Sequence, residues 1–351
     1  MYKRQDTNAV LAGALVASKL HIAVGHVEAG LRSFDITMPE ELNRMAADAC
    51  SLMYFIPTEE SAINLLAEGI SRKKLFITGN TVVDACFRHL EIANKAGIQE
   101  ESLANLDIEN MDNILTLTMH RAENVDDKER LLNIISALKE LKDMNIIFPI
   151  HPRTKKTLEN FNLFDELNEL DNVHIIKPLG YLDFLILTSH STLILTDSGG
   201  LQEEAITLDV PVLTLRYNTE RPETVSAGGN ILVGANKNNI LENAEKILND
   251  EEFADKMKNA KNPYGKGDAA IKTIDAIEEA YNNGLLDIKA PENIMSSFDR
   301  KMIKINEDVS VKEFEENENA LVHMVFDGEK MIFPLNNLNL KGMMITYDVY
   351  Q

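Results

Sequence analysis

The chain has 351 residues, long enough for two domains of ordinary size and too long for one. Hydrophobic residues make up 44% and charged residues 26%, an ordinary globular composition that excludes collagen, coiled coil and intrinsic disorder. With 35 Lys and Arg against 56 Asp and Glu the net charge is −21, and Trp is absent; such a surface repels phosphate backbones and anionic lipid and offers few stacking rings, which disfavours nucleic-acid and membrane partners.

At the start of the chain, Lys3 and Arg4 precede an apolar run over residues 9–17 with the length of a signal-peptide core. Asp6 interrupts the basic segment, and the run leads straight into a motif internal to a domain. We therefore read residues 8–18 as a buried helix. The run is well short of the roughly 20 apolar residues that span a bilayer. Residues 22–27 read as a strand, 40–50 as a helix opened by Pro39, and 54–56 as a strand stopped by Pro57. Thr58 caps a helix with its body at 61–68 and its stop at Gly69. A strand at 75–78 ends at Gly79-Asn80, and a helix over 82–96 stops at Gly97.

Residues 98–112 are polar, acidic and aperiodic, and mark a domain boundary. The alternation then resumes: strand 114–118, helix 127–144, strand 146–150, helix 154–170, strand 173–176, helix 181–189, strand 193–196, helix 201–208, strand 212–215. Helices follow at 240–249, 251–259 and 269–282. Strands alternating with helices give parallel α/β sheets, with ligands outside the carboxyl ends of the strands. Beyond residue 290 the texture changes to strands without helices, at 301–305, 320–326, 330–334 and 342–349, with a turn at Asp327-Gly328. This gives three regions: 1–105, 110–285 and a β-rich tail, 290–351, suited to packing or self-association. The two cysteines, Cys50 and Cys86, form no disulfide framework and suit a reducing cytoplasm.

Three patterns carry chemistry. In Leu193-Ile-Leu-Thr-Asp-Ser-Gly-Gly-Leu-Gln-Glu-Glu-Ala205 an apolar strand runs through Ser198, Gly199 and Gly200 into a helix. The glycines admit close backbone approach, and the helix start favours a phosphate. Glu204 lies in the first turns, where a carboxylate could take ribose hydroxyls. The alternative is a tight turn without a ligand. In His26-Val-Glu28-Ala-Gly30-Leu-Arg32, a strand end delivers Glu28 into a glycine loop, followed by Pro39-Glu40-Glu41 and Asn43-Arg44. Asp6, Glu28 and Glu40 could converge, as clustered carboxylates do in acid–base sites. Separately, Asp6 would be a helix N-cap, Glu28 a partner of Arg32, and Glu40 a first-turn carboxylate. Third, His120-Arg121, His151-Pro152-Arg153 and Thr219-Glu220-Arg221 each follow a strand, as an anion pocket on one sheet edge would require. His21, His89, His174, His190 and His323 read as structural or surface residues. No HExxH, CxxC, Walker A or GxGxxG pattern occurs, so neither metal nor NAD is indicated.

These motifs, with Asp6-Thr7, Phe76-Ile-Thr-Gly-Asn-Thr81 and Asn262-Pro-Tyr-Gly265, resemble those of the non-hydrolysing UDP-N-acetylglucosamine 2-epimerases over about residues 6–280. The resemblance implies an α/β fold of GT-B type, two Rossmann-like doubly wound domains with the active site between them and the UDP site in the second. It also implies reversible conversion of UDP-GlcNAc to UDP-ManNAc, through UDP elimination to a 2-acetamidoglucal and re-addition, without a cofactor. A homodimer and a cytoplasmic location belong to the same expectation. Asp6, Glu28 and Glu40 match the family's acid–base carboxylates, and His151 its active-site histidine. Ser198, Gly199 and Gly200 match its diphosphate turn, Glu204 its ribose carboxylate, Arg221 its phosphate arginine and Phe184 a uracil-side contact. His120 and Arg121 join the substrate-binding set. Ala122 stands where the family often has a second Arg. The family's opening strand and its Arg- and Lys-bearing glycine loop have no counterpart ahead of Asp6, so the chain reads as an N-terminally truncated member with impaired activity. Alternatives are a hydrolysing 2-epimerase, a GT-B glycosyltransferase and a UDP-sugar-binding module without catalysis.

Overall fold

The computed structural model describes residues 6–36 and 38–286, and beyond them the backbone of four strands within 302–350. The described residues divide into two compact units: Thr81–Ala269, and residues 6–80 with those described from Ala270 onward. The latter holds three parallel strands in the order β1 (Gly25–Val27), β2 (Met53–Ile56), β3 (Leu75–Ile77). Helices α1 (Asn8–Lys19), α2 (Pro39–Ala49) and α3 (Glu59–Ala67) belong to the same unit. Strand β2 is buried along its whole length, because alternate side chains meet different partners. Tyr54 and Ile56 pack with Ala29 and Leu65, while Met53 and Phe55 pack with Ala276 and Ala280 of the last helix, α15 (Ala269–Asn282). Thr58 caps α3 as its sequence position predicts, its hydroxyl accepting from the Ser61 N–H.

The unit Thr81–Ala269 opens with α4 (Thr81–Ala96) and the short α5 (Glu101–Ala104). Six strands follow: β4 (Ile114–Thr118), β5 (Asn145–Pro149), β6 (Val173–Ile176), β7 (Leu193–Thr196), β8 (Val212–Thr214) and β9 (Asn230–Leu232). All neighbours are parallel, in the order β6-β5-β4-β7-β8-β9. The order reverses between β4 and β7, the place where a doubly wound sheet opens a crevice beyond its carboxyl ends. Helices α6 (Ala122–Val125) and α7 (Lys128–Glu140) follow β4, α8 (Pro152–Asn160) and α9 (Phe164–Asn168) follow β5, and α10 (Tyr181–His190) follows β6. After β7 comes α11 (Gly199–Thr207), after β8 α12 (Pro222–Ser226), and after β9 α13 (Lys237–Asn249) and α14 (Glu251–Lys258). One sheet face buries Leu115, Leu117, Ile146 and Phe148 under the apolar stripe of α7 and against Ile240 of α13. On the other face, Ile114 and Ile147 pack on Ile186 and Leu187 of α10, and Ile194 and Val212 on Leu201 and Ala205 of α11.

Some elements differ from the sequence reading. The polar stretch 98–112 is no linker: Leu103 and Ile108 are buried in the sheet's core, and Asp183 accepts from the N–H groups of Gln99 and Glu100 at 2.9 and 3.0 Å. The compact units part instead at Asn80 and Thr81. The helix expected over 154–170 is two, α8 and α9, separated where Asn162 takes a left-handed backbone with φ 56°. Helix 127–144 is shorter, with Asp127 as its N-cap. Helices α5, α6 and α12 are too short for a periodicity reading, and strand β9, no shorter than β1, β3 or β8, is absent from it. Beyond α15, β10 (Met302–Lys304), β11 (Leu321–Phe326), β12 (Glu329–Pro334) and β13 (Asp348–Tyr350) form an antiparallel sheet in the order β10-β13-β11-β12. The turn expected at Asp327-Gly328 lies outside the described residues.

Candidate active site

The loops after β4 and β7 meet at the point where the strand order reverses. Asp197 follows β7 with no solvent exposure, and it accepts from the N–H groups of His120 (3.1 Å) and Arg121 (2.9 Å). Asn124 Nδ2 donates to the same carboxylate at 3.3 Å, and His120 Nδ1 lies 3.2 Å away. Burial pushes the Asp197 carboxyl up, but hydrogen bonding and charge from His120 and the Arg121 N–H hold it below the usual carboxylate range. Asp197 thus fixes His120 and Arg121 beside the turn that follows it. His151, after β5, caps α8 by accepting from the Arg153 N–H, and its ring centroid lies 6.3 Å from that of His120.

That turn is Ser198, N-cap of α11 without a side-chain capping bond, then Gly199 and Gly200. The first N–H groups of a helix have no partner within it, and no acidic residue occupies this first turn. At Gly199 a Cβ would come within 3.1 Å of Glu220 Oε1 and 3.9 Å of Arg121 Nη2, so glycine is what lets these charged groups approach the helix start. At Gly200 a Cβ would meet nothing within 4 Å, which leaves that face open. Glu220 bridges two cations: Oε1 accepts from Arg121 Nη2 at 2.7 Å, and Oε2 from Arg216 Nη1 at 2.5 Å. Burial opposes its ionisation, yet Arg121, Arg216 and Arg221 pull its pKa down to about 2.

Arg221 lies at this edge but is mostly spoken for. It is 5% exposed, pairs through Nε with the fully buried Glu203, and donates through Nη1 to the Glu220 carbonyl. Its first role is thus to anchor the 219–221 turn on α11. Gln202 does the same: its Oε1 accepts from Thr219 Oγ1 at 2.7 Å and Asn230 Nδ2 at 3.0 Å. One helical turn beyond Gly200, Glu204 accepts from the Tyr181 hydroxyl at 3.2 Å. Phe184, one turn along α10, packs into the cluster of Ile194, Leu201 and Ala205.

The other unit builds its own polar cluster after β1. Buried Asp48 on α2 is hydrogen-bonded to His26 Nδ1 at 2.6 Å and accepts from Arg32 Nη2 at 2.7 Å. Arg32 also pairs with Glu68 at 2.6 Å. Burial opposes the Arg32 charge, and the two carboxylates more than restore it, so its pKa is raised. Arg32 therefore pairs with Asp48 and Glu68, not with Glu28 as the simplest sequence alternative has it. Glu28 is buried and held at φ 63°, a backbone that costs a side-chain-bearing residue about 1–3 kcal/mol and that clusters at functional sites. Gly30 follows at φ 79°, where a Cβ would sit 2.3 Å from the Ser61 carbonyl oxygen, so the loop requires glycine there. Asp6 is not the N-cap of α1, which is Thr7; its Oδ2 accepts from Arg44 at 2.8 Å. Arg44 also donates to Glu41, which accepts from the Ser33 and Phe34 N–H groups at 3.0 Å each. Glu40 is exposed on the first turn of α2. Through Arg44, Asp6 is thus linked to the buried Glu41, to which the motif reading gives no role, as it gives none to Asp48, Glu68, Asp197 and Glu220. Among the described residues no group of three or more His, Cys, Asp or Glu could hold a metal.

A doubly wound sheet with an anion cradle at its switch point defines a nucleotide-binding α/β protein. Comparison with known proteins narrows the class. The family described as UDP-N-acetylglucosamine 2-epimerase matches residues 5–278, and the chain belongs to that family. A UDP-N-acetylglucosamine 2-epimerase of Methanocaldococcus jannaschii is 53% identical over 272 residues, 77% of this chain and 72% of that protein. The crystal structure of the Methanocaldococcus jannaschii UDP-GlcNAc 2-epimerase in complex with UDP-GlcNAc and UDP matches at TM-score 0.66 and 52% identity, covering 78% of this chain and 74% of that one. The Neisseria meningitidis enzyme bound to UDP-GlcNAc matches at TM-score 0.67 and 38% identity, covering 78% and 74%. The α/β fold of GT-B type expected from the motifs is the fold shared with these structures. Among the described residues no helix is long and apolar enough to cross a membrane.

Proposed function

We propose that the chain is an isomerase that inverts C2 of UDP-GlcNAc to give UDP-ManNAc, reversibly and without a cofactor. The observation that carries this reading is the start of α11: an uncapped helix N-terminus with Gly199 and Gly200, flanked by His120 and Arg121 and walled by Arg216 and Arg221. It suits a diphosphate, and it supplies donors where charge grows as the C1–O bond to UDP breaks. Glu204 takes the ribose hydroxyls, and Phe184 stands on the uracil side. In the other unit, Glu28 is the base that removes the weakly acidic C2 proton. Asp6, with Glu41 through Arg44, and Glu40 make up the carboxylate set that returns a proton from the other face. His151 stands with His120 near the leaving phosphates. Loss of the C2 proton and of UDP leaves a 2-acetamidoglucal; re-addition of UDP to C1 and of a proton to C2 on the opposite face completes the inversion. We read the enzyme as a cytoplasmic homodimer, in a compartment where the free thiols Cys50 and Cys86 stay reduced. Proton NMR of UDP-GlcNAc incubated with the full chain tests the reaction. UDP-ManNAc is the expected product. Free ManNAc with UDP would mark a hydrolysing enzyme, and an unchanged spectrum a binding protein; either would overturn the reading.

A further inference from the structure

The strip of unit Thr81–Ala269 where α4, α10 and α11 meet contains a polar contact that the reaction does not itself require. Tyr181 opens α10, its ring stands edge-on to that of His89 on α4 (centroids 5.5 Å apart, planes at 76°), and its hydroxyl donates to Glu204 Oε1 at 3.2 Å. The His89 ring is itself fixed, because Nδ1 bonds the Ala85 carbonyl at 2.6 Å. Cys86, fully buried on the same helix, is pushed up to about 12 by burial and by the charge of Glu204, so it stays a neutral thiol. Burial and the Glu204 charge also raise the Tyr181 phenol, which therefore remains a donor at every working pH.

The geometry bears on a ligand because of helix spacing. Gly200 and Glu204 are four residues apart, so they share a face of α11, about 5–6 Å from one another. Gly200 leaves that face open. A phosphate at the helix start therefore places the adjoining sugar of a nucleotide against Glu204. A glutamate there has three free torsions, and each costs entropy to fix on binding. A donor already seated on one carboxylate oxygen removes much of that cost.

From this juxtaposition we infer that Tyr181 is a positioning residue: it orients the Glu204 carboxylate toward the ribose hydroxyls, and so sets how strongly the site prefers a ribonucleotide. The inference rests on the UDP-binding reading above and deepens it. Its test compares binding of UDP and 2′,3′-dideoxyuridine diphosphate to the full chain by calorimetry. Wild type favours UDP by about tenfold or more, as loss of charge-assisted hydrogen bonds implies. Tyr181→Phe weakens UDP about threefold to tenfold and leaves the dideoxy nucleotide within about twofold. In a Glu204→Ala background the same substitution changes neither. Equal weakening of both nucleotides by Tyr181→Phe would make the tyrosine merely structural and overturn the inference. An undiminished preference for UDP would overturn it too. Failure of the underlying reading looks different: wild type itself would not bind UDP, or would not tell the two nucleotides apart.

Discussion

Glu220 shows how a single side chain ties the site to the stability of the fold. Flanked by Arg121 and Arg216, it ionises at about 2 in place of its ordinary 4.5. A carboxyl depressed on folding contributes stability that is complete above pH 4.5 and lost as the pH falls toward 2. Glu220→Gln should therefore be less stable than wild type at pH 7, and the gap should shrink steadily between pH 4.5 and 2. Urea denaturation at a series of pH values checks this; a gap independent of pH would mean that Glu220 is held by shape and not by its charge. Glu28 is the counterpart in the other unit, held by backbone strain: buried, at φ 63°, ahead of a glycine that no other residue can replace without moving Ser61. A loop built at that cost, on buried Asp48 and Arg32 with Glu68 at the rim, keeps one carboxylate in one place.

Among the elements, the clearest lesson is in the segment between α4 and β4. Polar composition made 98–112 look like a linker, but composition does not reveal that two apolar residues, Leu103 and Ile108, are enough to pin it to the sheet. Nor does it reveal that Asp183, on a helix some eighty residues later, accepts two backbone N–H groups from it. Asp183→Ala should lower stability by about 1.5–3 kcal/mol, the usual worth of hydrogen bonds to a charged group. Thermal or urea unfolding checks it, and an unchanged midpoint would show that the segment is held by its apolar side chains alone. Strands β4, β6 and β7 were legible to the residue as short, mainly apolar runs bounded by polar turns, and α15 as a long amphipathic stretch stopped near Gly284. The Ser198–Gly200 turn was legible for the same reason, since strand, glycines and helix are contiguous. Partner choice was not. That Arg32 would pair with Asp48 and Glu68 depends on a side chain delivered by α2 and another just beyond α3. That Glu41, and not Glu40, would turn inward on α2 depends on the helix phase, which two adjacent identical residues do not disclose.

For the molecule as a whole, a chain of net charge −21 that is to hold a diphosphate must concentrate its cations, and His120, Arg121, Arg216 and Arg221 lie at one edge of one sheet. On the proposed reading the carboxylates of proton transfer belong to the other unit, which divides grip and proton transfer between different sheets. The most direct test of that division is deuterium incorporation at C2 of UDP-GlcNAc in heavy water, measured by NMR for the full chain and for Glu28→Gln, with UDP binding followed by calorimetry. The account predicts exchange and UDP-ManNAc from wild type, and no exchange but undiminished UDP binding from Glu28→Gln. Exchange at the wild-type rate in that variant would contradict it.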